Sequence, residues 1–225
     1  MKEGTPRTIV SRRNRPAKAA LSRDVIVAKA LEVLERDGFS GFNLRRVAAA
    51  LDTGPASLYV YLENLDELQA LMLDSALAAV NLPKGQDLEW RSELKAFLLS
   101  YFRVLYERPG VAQIALSTIP TGPNSLRILE LLLGLLAEGG VENAKAAWGA
   151  DLLLLYVTAI AAEQSNWRAQ KMVFERVKAA LDNASKEEFP LIAAHHDTLI
   201  SGGHDRADWA LEVIINGMLF GGKQP

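Results

Sequence analysis

Residues 43–62, NLRRVAAALDTGPASLYVYL, constrain this chain more than any other stretch. Asn43 is a good N-cap, and 44–51 has helical spacing with Val47, Ala48 and Leu51 on one face. Asp52-Thr53-Gly54 breaks that helix, and Pro55 suits the first turn of a second one. Leu58 and Leu62, four apart, give the second helix a buried edge. Its other face carries Pro55, Ala56, Ser57, Val60 and Tyr61. Two helices of about two turns each cannot hold a core alone. They need a third, and the pair then reads as a helix-turn-helix whose second helix enters a DNA major groove.

The third helix lies just upstream. Ser22 is its N-cap, Asp24 suits the macrodipole in its first turn, and Gly38 ends it. Ile26, Val27, Ala30, Leu31 and Leu34 repeat at helical spacing, and Phe39 and Phe42 are expected to plug the small core. Downstream, Asn64 caps a helix over 65–80 with Glu67 at the capping-box position. Leu68, Leu71, Met72 and Ser75 are expected inward. That helix is long enough to leave the small domain and enter the next.

Charge is distributed unevenly. Residues 1–60 hold 11 Lys/Arg against 6 Asp/Glu, a balance of +5 in a chain whose net charge is −2. A basic first quarter on an acidic body fits a polyanion partner for the first quarter only. Residues 1–21 read as a flexible basic arm in which Arg12, Arg13, Arg15 and Lys18 could add phosphate contacts or reach a minor groove. A purely solubilising tail would look the same. Arg45 and Arg46 stand in the first turn of their helix, where cations oppose the macrodipole at ~0.3–1 kcal/mol each. They make sense if a phosphate docks there.

Residues 22–73 resemble the DNA-binding domain of the tetracycline-repressor (TetR) family of bacterial transcriptional regulators. The matching features are the glycine-containing turn at 38–41, R-x-V-A at 45–48, L-Y-x-Y-L at 58–62, and Asn64 before an acidic-leucine run. The resemblance implies that Arg45, Ser57, Tyr59 and Tyr61 touch phosphates or flank the groove. It also implies that Pro55, Ala56 and Val60 face base edges. Asp52 replaces a glycine common in that turn. Leu65 replaces a backbone-binding lysine, which removes one phosphate contact. Pro55, Ala56 and Val60 offer no bidentate hydrogen bond, so thymine methyls and DNA shape would carry the readout.

The remainder is read as all-α, in a three-part organisation: arm 1–21, helix-turn-helix domain 22–64, and a helical ligand-binding and dimerisation domain 65–225. Helices are expected over 88–106, 111–117, 126–137, 143–165, 167–183, 188–194 and 205–220. Residues 195–204, HHDTLISGGH, read as a mobile loop. Helices apolar nearly all round must be buried on more than one side. The helices 143–165 and 205–220, with Ala159, Ala162 and Gly217 allowing close approach, are read as a homodimer face. A dimer on a palindromic operator also fits the short reach of one recognition helix.

A small hydrophobic effector is the second outlet for the apolar surplus. Phe97, Tyr101, Gln113, Thr118, Asp151, Tyr156 and Trp167 are the candidate lining, with Asp151 needing a partner beside a tetra-leucine run. The segment from Pro109 to about Asn143 resembles the C-terminal domain of the tetracycline repressor itself. Where that domain has a magnesium-ligating histidine, this chain has Ala115, which speaks against a magnesium chelate as effector. No cofactor and no metal are expected.

Two other readings stand beside this one. A regulator without a small-molecule inducer would share every feature of the first quarter. An enzyme would need a loop metal site at His195, His196 and His204, but adjacent histidines do not give the i, i+4 ligand spacing. The chain has no cysteine, and the apolar segments 129–137 and 152–162 are too short to span a bilayer. The expected location is the cytoplasm. The chain thus reads as a DNA-binding transcriptional repressor released by a ligand, and not as an enzyme.

Overall fold

The computed structural model describes residues 20–83, 89–169, 172–201 and 203–221. Among them there are eleven α-helices and no strand. The basic arm residues Arg12, Arg13, Arg15 and Lys18 lie outside the described residues.

Helix α1 (Arg23–Asp37) starts where Ser22 Oγ accepts a hydrogen bond from the Val25 amide, and it ends at Gly38 with φ 72°. Ile26, Ala30 and Val33 on its inner face are fully buried. A 3₁₀ turn (Phe39–Gly41) follows. Phe42 is buried, but Phe39 is exposed, so only one of the two phenylalanines plugs the core. Helix α2 (Leu44–Ala50) is capped by Asn43 Oδ1, which accepts from the Arg46 amide at 3.0 Å. Asp52 then adopts φ 51°, the left-handed conformation that a glycine would take more easily. Helix α3 (Pro55–Leu58) is a single α-turn, followed by turn structure through Tyr61. It is shorter than the two turns expected, because Leu58 and Leu62 reach the core without a continuous helix between them.

Helix α4 (Leu65–Leu77) begins at Asn64, whose Oδ1 accepts from the Glu67 amide at 2.8 Å. The Glu67 carboxylate reaches the amide of Glu63, one residue before the cap. Leu68, Met72, Leu73, Asp74, Ala76 and Leu77 are buried; Ser75, expected inward, is exposed. The helix packs against α1 on one side and against α6 and α7 on the other. It therefore belongs to both halves of the molecule, and one contiguous core runs from Ile26 to Met218.

The second half comprises α5 (Trp90–Glu107), α6 (Pro109–Ser117), α7 (Pro123–Glu138), α8 (Asn143–Ala169), α9 (Met172–Asp182), α10 (Pro190–Ile200) and α11 (Gly203–Phe220). The long α8 is the hub, with α5, α6, α7 and α11 packed on it. Its inward stripe is Ala146, Gly149, Ala150, Leu153, Val157 and Ala161. Gly149 is what lets α11 approach: a Cβ there would lie 1.8 Å from Met218 Sδ. Gly217, expected to allow close approach at the dimer face, faces open space in the protomer, whereas Ala162, expected there too, is buried within the chain.

Two expectations are corrected. Residues 195–200 are helix rather than loop, because Pro190 starts α10 and the helix runs on to Ile200, with Ser201 at its C-cap. The segment 152–162 is part of a helix of which residues 143–166 are long and apolar enough, by length and composition, to cross a membrane. One face of that helix is core, and its other face bears Trp148, Leu152 and Leu155, all exposed.

Candidate nucleic-acid interface

The N-terminal domain presents α2 and the α3 turn together. Arg45 is exposed on the first turn of α2 and has no hydrogen bond or ion pair among the described residues. Arg46, one residue on, is committed within the chain: its Nη1 lies 2.9 Å from Asp37 Oδ2. Asp37 also accepts from Arg36 at 2.7 and 2.9 Å. The two guanidiniums, Arg36 foremost, hold the Asp37 carboxyl far below the usual carboxylate range. The macrodipole cost of two arginines on α2 is thus offset for Arg46 by Asp37, and only Arg45 carries an unshielded charge.

Beside it, the α3 turn offers a tip of mixed character. Pro55 and Ala56 are exposed, Tyr59 and Val60 are 57% and 79% exposed, and Ser57 and Tyr61 are half-buried. A groove of about 700 Å³ runs along this tip between Leu21, Val25, Thr53, Ser57, Val60 and Tyr61. Tyr61 is held from behind, since its carbonyl accepts from Arg23 Nε at 2.8 Å. Arg23 Nη2 in turn pairs with Glu67 at 3.0 Å, tying α1 to the first turn of α4. Thr53 in the groove and the Arg23–Glu67 strut were not singled out from sequence. Arg23 sits in the first turn of its helix, as Arg45 does, and only the fold distinguishes the tied arginine from the unshielded one.

The candidate effector residues are scattered over α5, α6 and α8. Phe97 is fully buried, and Tyr101 is nearly so, its hydroxyl 2.9 Å from Thr158 Oγ1. Burial pushes the Tyr101 phenol up, against the opposing hydrogen bond to Thr158. Tyr156 is half-buried and also pushed up by burial, opposed by the Arg206 charge. Gln113 and Thr118 are half-buried on α6 and at its C-cap. Asp151 is exposed, on the outward face of α8 with Trp148 and Leu152, so its carboxylate is hydrated and needs no buried partner. It is removed from the effector residues. The Trp167 side chain lies outside the described residues. Thr158 and the buried Glu93 were missed, because neither interrupts the apolar spacing of its helix.

On α10, His195 is exposed, and His196 is hydrogen-bonded on both ring nitrogens, to Asp182 at 2.8 Å and Asp197 at 3.0 Å. The His204 side chain lies outside the described residues. Among the described residues no group of three or more His, Asp or Glu could hold a metal ion.

A helix-turn-helix with one unshielded arginine, an exposed apolar tip and a shared helix into a larger all-α body defines a DNA-binding regulator of the helix-turn-helix class. Comparison with known proteins gives the family. The profile of the tetracyclin repressor-like C-terminal domain matches residues 82–220. An HTH-type transcriptional regulator of Saccharopolyspora erythraea is 29% identical over 210 residues, spanning 92% of this chain and 86% of that protein. The class C tetracycline repressor of Escherichia coli is 25% identical over 202 residues, 88% of this chain and 90% of that protein. The crystal structure of the TetR family protein ActR of Streptomyces coelicolor in complex with actinorhodin superimposes with a TM-score of 0.80 at 33% identity, over 89% of this chain and 98% of that one. The chain belongs to the TetR family of transcriptional regulators, with a tetracycline-repressor-like C-terminal domain.

Proposed function

We propose that this protein is a homodimeric repressor that leaves a palindromic operator when a small hydrophobic molecule binds its C-terminal domain. The observation that carries this reading is the double membership of α4, packed on α1 at the DNA-binding end and on α6 and α7 in the body. A ligand that favours one packing of the body over another must bias the tilt of α4. The separation of two recognition turns in a dimer then follows as a population shift. In this reading Arg45, Ser57, Tyr59 and Tyr61 set the register on phosphates, and Pro55, Ala56 and Val60 meet the bases. Arg46, paired with Asp37, adds long-range charge, and the arm residues Arg12, Arg13, Arg15 and Lys18 add affinity.

The partner surface is the outer face of α8 and α11. Trp148, Leu152, Leu155 and Ala159 follow i, i+4, i+7, i+11 on α8. Trp209, Val213, Gly217 and Phe220 do nearly the same on α11, and all eight are exposed. Two such stripes side by side are what a four-helix interface with a symmetry mate requires. The effector would sit among Phe97, Tyr101, Gln113, Thr118 and Tyr156. Support for a hydrophobic effector comes from ActR, which binds actinorhodin. Ala115, half-buried on α6, offers no metal ligand.

The test is titration of candidate ligands, actinorhodin first, against binding of DNA from the region flanking the coding sequence. Release of the DNA on ligand binding is the expected result. A ligand that binds the C-terminal domain and leaves DNA affinity unchanged removes the coupling.

A further inference from the structure

Asp74 is a carboxylate buried near the C-terminal end of α4, and among the described residues no charged group pairs with it. Its partners are the first turn of α7. Oδ1 accepts from the Ser125 amide at 2.9 Å and from Ser125 Oγ at 3.0 Å. Oδ2 accepts from Asn124 Nδ2 at 3.0 Å, and the same amide donates to the Asp74 main-chain carbonyl at 3.0 Å. Helix α7 has Gly122 at its N-cap and Pro123 at its first position, with no side-chain cap of its own. An acidic oxygen on the third amide of a helix is the work of an N-cap residue. Here α4 supplies it from 51 residues away in sequence.

The glycine is part of the same arrangement. A Cβ at Gly122 would stand 2.1 Å from the Asp74 carboxyl carbon and 2.3 Å from Oδ1. Any other residue would expel the carboxylate from the helix end. At the opposite end of α4, two turns earlier, Glu67 holds Arg23 of α1. The helix is therefore clasped to the DNA-binding domain by one carboxylate and to α7 by another. The loop that leads into α7 starts at Thr118, one of the residues placed at the effector.

We infer that Asp74, with Gly122, is the positioning device that sets the tilt of α4 from the state of the α6–α7 loop and α7. It holds α4, and through it the recognition turn, in one orientation for as long as α7 presents its first turn to the carboxylate. This rests on the dimeric repressor reading above. The contact itself needs no dimer and no ligand.

The absence of native cysteine permits a clean test on the full chain. A single spin label at the exposed position of Glu35 on α1, introduced as Glu35→Cys, reads the distance between the two DNA-binding domains of the dimer. The same label paired with Glu138→Cys at the end of α7 reads the distance within one protomer. Asp74→Asn keeps one acceptor oxygen and replaces the other by a donor that must face either the Asn124 amide or the Ser125 pair, and Gly122→Ala pushes the carboxylate out. Both are expected to shift and widen both distance distributions. Leu132→Ala, a core truncation in α7 that leaves the clasp intact, is expected to lower the melting temperature and leave the distances as in wild type. If Asp74→Asn or Gly122→Ala does not fold, Asn124→Ala removes one donor only and is expected to give a smaller shift in the same direction. Unchanged distances in the folded clasp variants, with only the melting temperature lowered, would overturn the proposal. A monomer in light scattering would retire the dimeric reading alone, since the intraprotomer pair still reports on the clasp.

Discussion

At the scale of single residues, the first turn of α2 separates two adjacent arginines by what they touch. Arg46 is tied to Asp37, and Arg45 is tied to nothing among the described residues. Arg45→Ala should therefore weaken DNA binding across all sequences and reduce the slope of log K against log salt by about 1. Binding measured at several salt concentrations checks this, and an unchanged slope would take Arg45 off the phosphates. Asp37 supports a different prediction. Its carboxyl is depressed in the folded protein by Arg36 and Arg46, so its stabilising contribution is present above the unfolded carboxyl range and is lost as pH falls through it. The gap in melting temperature between wild type and Asp37→Asn should be open at neutral pH and begin to close below about pH 4, the ordinary aspartate range. A gap that does not vary with pH would mean that the asparagine fails for steric reasons instead. The Asp37 pairing was not legible in sequence, because Arg46 and Asp37 are nine positions apart, across a turn whose geometry only the fold supplies.

At the scale of elements, caps carried most of the legible information. Ser22, Asn43 and Asn64 each accept from the third amide of their helices, and each was assigned on residue type and position alone. What misled was local composition without a cap. The segment HHDTLISGGH looks like a loop because of its polar start and double glycine, yet Pro190 upstream starts a helix that runs through Ile200. Asp151 misled for a related reason, since a carboxylate among four leucines looks buried until the phase of α8 places it outside. The hidden helix leads to a further prediction. His196 on α10 is raised by Asp197 and Asp182, the latter at the end of α9. A raised folded pKa stabilises below the unfolded histidine value of about 6.5 and loses that contribution as pH rises through the folded value. Hydrogen exchange over α10, corrected for intrinsic rates, should show more protection at pH 6 than at pH 8.5. His196→Gln should abolish the difference. Equal protection at both pH values in wild type would mean that the carboxylates do not bind the imidazolium.

At the scale of the whole molecule, the question is why a chain of 225 residues keeps so much apolar surface in view. Trp148 and Trp209 are each 67% exposed, and Leu152, Leu155, Val213 and Phe220 stand beside them in register. Side chains of that size cost ~1.5–3 kcal/mol each when left in water rather than buried. Scattered exposure would need no explanation, but two parallel stripes on adjacent helices do. The spacing was legible in sequence; which face of each helix was outward was not, because helices apolar on most sides carry little directional signal. A second copy using the same stripes would bury them about a two-fold axis and would carry two recognition turns to two half-sites. Leu152→Glu together with Val213→Glu places a charge at the centre of each stripe, at side chains that are exposed in the protomer. The double variant should keep wild-type helicity and run as a monomer in light scattering. It should bind operator DNA with a sharply lower affinity, because each protomer then holds one half-site alone. A variant that remains dimeric would move the interface to another apolar face, and one that turns monomeric while retaining full operator affinity would break the link between pairing and DNA binding.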